Sequence, residues 1–237
     1  MPDSVHTIDK RLVSLTRPAS LEADQYQTLR LSLQRLRASR DIRMIAMTSP
    51  TTGDGKTLTA INLAGALAGA GDRVLLIEAD LRRPSIADQL GIAGNTSPGL
   101  ADLVLDPALT LKEAVLPLDI GFDVITAGSP SAALREVFNS PRLEAALREA
   151  RAHYDFVALD TPPVVPVYDC RLLAPWVDGL LLVVSAHRTP RKLVEESLNL
   201  LDSTRVLGIV FNRDDHPLFG YHRRHYYRRR TPKAGQP

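Results

Sequence analysis

Residues 44–57 read Met-Ile-Ala-Met-Thr-Ser-Pro-Thr-Thr-Gly-Asp-Gly-Lys-Thr and run directly into Leu-Thr-Ala-Ile-Asn-Leu-Ala-Gly-Ala-Leu-Ala at 58–68. The apolar run Met44–Met47 predicts a buried strand, and the Ala/Leu-rich stretch predicts a helix over Lys56–Ala70. Between them, Gly53 and Gly55 let the backbone turn sharply and approach a ligand with no Cβ in the way. A helix starting near Lys56 aims its free N–H groups and the positive end of its dipole at the same point. Lys56 is placed to neutralise β- and γ-phosphates, and the Thr57 hydroxyl to join a magnesium ion. Ser49–Thr57 is therefore read as a phosphate-binding loop for Mg²⁺ and ATP, with Thr52, Gly53, Asp54, Gly55, Lys56 and Thr57 around the phosphates. Pro50 stands where the G-x-x-x-x-G-K-[ST] pattern has its first glycine. A glycine-rich turn ending in Gly-Lys-Thr by chance is the competing reading, and it does not account for the flanking strand and helix.

Outward from the loop, short apolar runs alternate with helical segments. Val74–Ile77, Phe122–Ile125, Phe156–Leu159, Leu180–Val184 and Val206–Phe211 read as strands. Leu21–Arg37, Pro141–Ala152 (N-capped by Ser140) and Pro190–Leu201 (capped by Thr189) read as helices. Strands that are continuously apolar imply a sheet covered on both faces. The expectation is a three-layer α/β/α P-loop fold with a mostly parallel central sheet and its ligand at the carboxyl ends of the strands. No repeat of about 20–50 residues is present, which excludes solenoids and propellers. The division expected is a flexible N-terminal arm over 1–20, a nucleotide-binding domain over 21–213 and a basic, tyrosine-containing tail over 214–237.

Two more strand ends carry acid. Val74–Ile77 leads into Glu78-Ala79-Asp80-Leu81-Arg82-Arg83-Pro84, and Phe156–Leu159 leads into Asp160-Thr161-Pro162-Pro163. Magnesium held partly by phosphates takes one or two carboxylates in addition, and Asp160 fits that role. Glu78 and Asp80 alternate in extended backbone and so point the same way. One of them could activate an attacking hydroxyl while the other supports the metal. Acidic residues in a solvated loop are the plainer reading, since Asp after a strand is common.

The chain of 237 residues, 44% hydrophobic and 24% charged, has the composition of one soluble domain. No apolar run reaches the roughly 18 residues of a membrane helix, and the start lacks a secretory signal. The expected location is cytoplasmic unless a partner holds the chain at a membrane. The single Cys170 excludes a disulfide framework. From Pro217 onward the chain carries six basic residues and no acidic one, which leaves 23 basic against 27 acidic residues in the rest.

Four segments, TSPTTGDGKTLTAINLA, VLLIEADLRRP, YDFVALDTPPV and GIVFNR, occur in an order that resembles the bacterial tyrosine kinases of capsule and exopolysaccharide export. These are relatives of the chromosome-partitioning ATPases. The resemblance spans about Ile42–Arg213. The family's Asp-x-Asp-x-Arg corresponds here to Glu78-x-Asp80-x-Arg82. The resemblance implies a catalytic base at Glu78, magnesium ligands at Asp80 and Asp160, and catalytic participation of Lys56. It also assigns Leu58 and Arg82 to the nucleotide site and Asn212 to adenine. Thr51 occupies the position of the partitioning branch's signature lysine.

The resemblance further implies phosphorylation in trans of tail tyrosines. Tyr221, Tyr226 and Tyr227, half of the six tyrosines, lie in the last 17 residues. It implies a homo-oligomer, although the family's ring motif Glu-x-x-Arg-x-x-Arg reads Asp24-x-x-Gln27-x-x-Arg30 here and keeps only Arg30. A separate membrane adaptor (a polysaccharide co-polymerase) and a phosphotyrosine phosphatase are implied as partners, with inner-membrane association through the adaptor. The reading is thus an ATP-dependent tyrosine autokinase regulating exopolysaccharide polymerisation and export. Glu78 lengthens the family's carboxylate by a methylene, and misplacement by about 1 Å can cost roughly a hundredfold in rate. That leaves open a catalytically weak ATP-binding assembly switch. A partitioning-type ATPase would instead use the basic tail on nucleic acid; lacking the lysine counts against it, and no nucleic acid is expected.

Overall fold

In a computed structural model that describes residues 7–93, 97–129 and 134–214, the apolar runs assemble into one seven-stranded sheet. The strands are β1 (Met44–Thr48), β2 (Val74–Glu78), β3 (Leu116–Pro117), β4 (Asp123–Ile125), β5 (Phe156–Asp160), β6 (Gly179–Ser185) and β7 (Val206–Asn212). Their order is β3-β4-β2-β5-β1-β6-β7, and every pairing is parallel except β3 with β4. The loop strand β1 therefore lies between β5 and β6. The two acid-bearing strands lie beside it in turn, with Met47 opposite Asp160 and Glu78 opposite Asp160.

The helices are α1 (Val13–Thr16), α2 (Leu21–Ser39), α3 (Lys56–Ala68), α4 (Ile86–Leu90), α5 (Leu100–Leu105), α6 (Leu111–Ala114), α7 (Leu134–Asn139), α8 (Pro141–His153), α9 (Asp169–Leu173) and α10 (Arg191–Leu200). They divide between the two sheet faces. Along β1, Ile45 and Met47 pack with α2, α3 and α4, while Met44 and Ala46 pack with α5 to α9. Alternate residues of one strand thus feed opposite cores, which is why β1, β2, β5 and β6 are buried throughout and read as unbroken apolar runs. The three-layer α/β/α architecture follows.

Three local features depart from the sequence reading. Within the stretch expected to be a flexible arm, residues 12–15 pack on α3. Leu12 is fully buried, Ser14 N–H donates to Asn62 Oδ1 at 2.9 Å, and a Cβ on Gly65 would meet the Leu15 side chain at 2.9 Å. The buried Asn62 amide supplies the polar partners a short, Pro-interrupted segment cannot supply for itself. Second, Thr189 does not cap α10, whose N-cap is Pro190; its hydroxyl is committed to Ser185 and Asp54. Third, the two-residue β3 and the helices of four to six residues are too short to give a readable period. Ser140 does cap α8, its Oγ accepting from Arg142 N–H at 3.2 Å.

Candidate active site

β1 ends in a loop whose geometry is set by two glycines. Gly53 and Gly55 adopt φ of 89° and 96°, a region that costs other residues strain. Gly55 is doubly constrained, because a Cβ there would lie 1.9 Å from Asn212 Nδ2. Beyond it α3 begins at Lys56 with no side-chain cap, so its first N–H groups face the loop. The Asp160 segment is laced to the loop's root. Thr161 donates through both N–H and hydroxyl to Met47 O, at 3.0 and 2.9 Å. Thr48 Oγ1 donates to Pro162 O at 2.8 Å.

These ties bring together residues that the sequence holds about a hundred positions apart. Lys56 Nζ lies 2.7 Å from Asp80 Oδ2 and 3.4 Å from Asp160 Oδ1. Thr57 Oγ1 donates to Asp160 Oδ2 at 2.6 Å. Ala79 N–H donates to Asp160 O at 2.8 Å, which carries the β2–β5 pairing one residue past the strands and turns Asp80 toward Lys56. Burial opposes the charge on Lys56, but the carboxylates of Asp160 and Asp80 hold its pKa above the usual lysine value. Burial pushes the Asp160 carboxyl up to about 6 against the pull of Lys56 and Thr57. Two carboxylates and a hydroxyl beside one lysine form a hard-oxygen donor set. Among the described residues there is no cluster of three or more His, Cys, Asp and Glu able to hold a metal alone. That composition suits magnesium, which is typically held by one or two carboxylates together with substrate phosphates.

Glu78 is not part of this group. Its Oε1 accepts N–H bonds from Ser85 at 2.5 Å and Ile86 at 2.7 Å, and its Oε2 accepts one from Ala127 at 3.1 Å. The carboxylate expected as catalytic base thus holds the start of α4 and the loop after β4. Burial raises its pKa. Arg82, expected at the nucleotide, pairs with the buried Asp169 at 2.6 Å. Asn212 donates to Asp54 O at 2.9 Å, beside the loop. Thr52 and Gly53 are exposed at the loop's mouth and Leu58 is half-buried. Asp169, the bond from Thr189 to Asp54 and the Ser85–Ile86 N–H pair were missed from sequence. Their partners are distant in the chain or are backbone groups, and neither leaves a motif. Arg30 bonds Gln27 and Gln34 of its own helix at 2.8 and 2.9 Å. Tyr221, Tyr226 and Tyr227 lie outside the described residues.

Residues 42–189 match the family model of the AAA domain. The chain is 30% identical over 220 residues to tyrosine-protein kinase YwqD of Bacillus subtilis, covering 91% of this chain and 92% of that protein. It is 32% identical over 209 residues to the succinoglycan biosynthesis transport protein ExoP of Rhizobium meliloti, covering 84% of this chain but only 26% of that longer protein. Among solved structures, the kinase domain of the Escherichia coli tyrosine kinase ETK is similar with a TM-score of 0.79 and 27% identity, over 86% of this chain and 82% of that one. The similarity to YwqD runs nearly end to end in both proteins and includes the loop and both acid-bearing strand ends, so the chain belongs to the bacterial tyrosine-protein kinases.

Proposed function

We propose that this chain transfers the γ-phosphoryl group of ATP to tyrosine, with its own tail tyrosines Tyr221, Tyr226 and Tyr227 as acceptors on a neighbouring copy. The observation that carries the reading is the convergence of Lys56, Thr57, Asp80 and Asp160 at the phosphate loop in a member of this family. The loop N–H groups and Lys56 bind the phosphates and offset the charge that builds up as the phosphoryl group moves. Thr57, Asp160 and Asp80 would hold Mg²⁺, which supplies further charge neutralisation at the phosphate oxygens. Asp80 orients the acceptor hydroxyl and takes its proton as the tyrosine oxygen bonds to phosphorus and the bond to the departing ADP oxygen breaks. Asn212 lies next to the loop and is assigned to the adenine side.

The setting we propose is polysaccharide polymerisation and export, in keeping with the relative ExoP, named a succinoglycan biosynthesis transport protein. Among the described residues no helix is long and apolar enough to cross a membrane. The partners proposed are a separate membrane adaptor that holds the kinase at the inner membrane and a phosphotyrosine phosphatase that reverses the modification. Full-length protein incubated with Mg-ATP and the adaptor, followed by phosphotyrosine mapping, tests the reading with Lys56→Ala as control. Absence of any Lys56-dependent signal on the three tail tyrosines would overturn it. Nucleotide binding without transfer would favour the assembly switch, a reading that the diversion of Glu78 into backbone hydrogen bonds supports.

A further inference from the structure

The phosphate loop does not hold its shape unaided. Asp54, between the two left-handed glycines, is buried, and its carboxylate gathers donors from two directions. Oδ2 accepts from the N–H and the hydroxyl of Thr51, at 2.9 and 3.0 Å. Oδ1 accepts the Thr189 hydroxyl at 2.6 Å. The same Thr189 oxygen accepts the Ser185 N–H at 3.0 Å. One side chain outside the loop thus ties it to the end of β6 and the start of α10. We infer that Thr189 is a positioning residue for nucleotide binding, fixing Asp54 and, through it, the turn that aims the loop N–H groups.

Glycine on either side of Asp54 permits the required backbone but favours it no more than others. A loop free to leave its binding conformation loses affinity in proportion to the time spent elsewhere. A carboxylate bonded at both oxygens restricts that freedom, and hydrogen bonds to an ionised acceptor are roughly twice as strong as neutral ones. Among the described residues, Thr189 is the side chain that ties the Asp54 carboxylate to structure outside the loop. Removing its hydroxyl leaves the Thr51–Asp54 ring closed but unanchored at that carboxylate. The result is weaker nucleotide binding with the phosphoryl-transfer groups Lys56, Asp80 and Asp160 untouched.

The inference rests on the proposed kinase reading only in taking Mg-ATP as the loop's ligand. The full-length protein is titrated with a fluorescent ATP analogue and Mg²⁺, and KM for ATP and kcat are measured separately. Thr189→Val is expected to weaken binding and raise KM about tenfold, the effect of one hydrogen bond to a charged group. Its kcat at saturating ATP should change by less than about twofold, and Thr189→Ser should restore binding. In an Asp54→Ala background Thr189→Val should add nothing, since the two act as one unit. Should Thr189→Val fail to fold, Thr189→Ala carries the same expectations. Binding by Thr189→Val equal to wild type, or a full tenfold loss repeated in the Asp54→Ala background, overturns the assignment. Failure of the wild type itself to bind Mg-ATP overturns the nucleotide reading instead, and the two failures are distinguished by that single titration.

Discussion

Glu78 and Asp80 carry the same functional group two residues apart, yet the chain uses them differently. Asp80 meets Lys56 at 2.7 Å, whereas Glu78 takes three backbone N–H bonds. Glutamine at 78 offers one acceptor oxygen to those donors and brings an NH₂ group against the rest. Glu78→Gln is therefore expected to lower stability by about 1–3 kcal/mol, read by urea unfolding, with phosphorylation per folded molecule falling less than about twofold. Asp80→Asn should do the reverse, leaving the unfolding curve nearly in place while turnover drops by roughly 10²-fold or more. Loss of turnover in Glu78→Gln with unmoved stability would return the base to Glu78. The sequence made the positions of residues 78, 80 and 160 legible because strand ends in this architecture are legible. It could not make their partners so, since Ser85, Ile86 and Ala127 bind through backbone groups that any residue provides.

At the scale of elements, long periodic segments were readable and short or tethered ones were not. The opening segment looked like a loose arm because it is polar and broken by Pro18, and the four residues of α1 carry no periodic signal. What orders it is α3, which presents Asn62 to the Ser14 N–H and a Cβ-free Gly65 to Leu15. Leu12→Ala should thus cost about 2–5 kcal/mol of folding stability, measured by chemical denaturation. A truly loose arm would show no change. A second tie joins the starts of β2 and β5, where Arg73 Nε and Nη2 donate to Asp155 at 3.0 and 2.9 Å. The side-chain hydrogen bond from Arg73, followed by that from its backbone, holds the Asp155 pKa at about 2, below the ordinary carboxylate range. A folded value below the unfolded one means the stabilisation is complete above about pH 4 and is lost as pH falls through about 2. The pair is partly exposed, so the effect is small. Asp155→Asn should lower the melting temperature slightly at pH 7, and the gap from wild type should close between about pH 4 and 2.

Over the whole molecule, the net charge of +2 hides a division along the chain. Six basic and no acidic residues follow Pro217, and the remainder holds 23 basic against 27 acidic residues. Attraction between opposite charges speeds encounter and is screened over about 8–10 Å at physiological salt. If tail tyrosines are phosphorylated by another copy, each transfer begins with a basic segment approaching an acidic body. The initial rate at low protein concentration should then fall severalfold between about 50 and 500 mM salt. Replacing Arg223, Arg224, Arg228, Arg229 and Arg230 with glutamine should lower the rate at low salt and flatten its salt dependence. Nucleotide affinity should not change in that variant, because every loop and metal-site residue lies in the body. A salt response that persists unchanged in the glutamine variant would place the electrostatic effect at the phosphate site rather than in the meeting of tail and body.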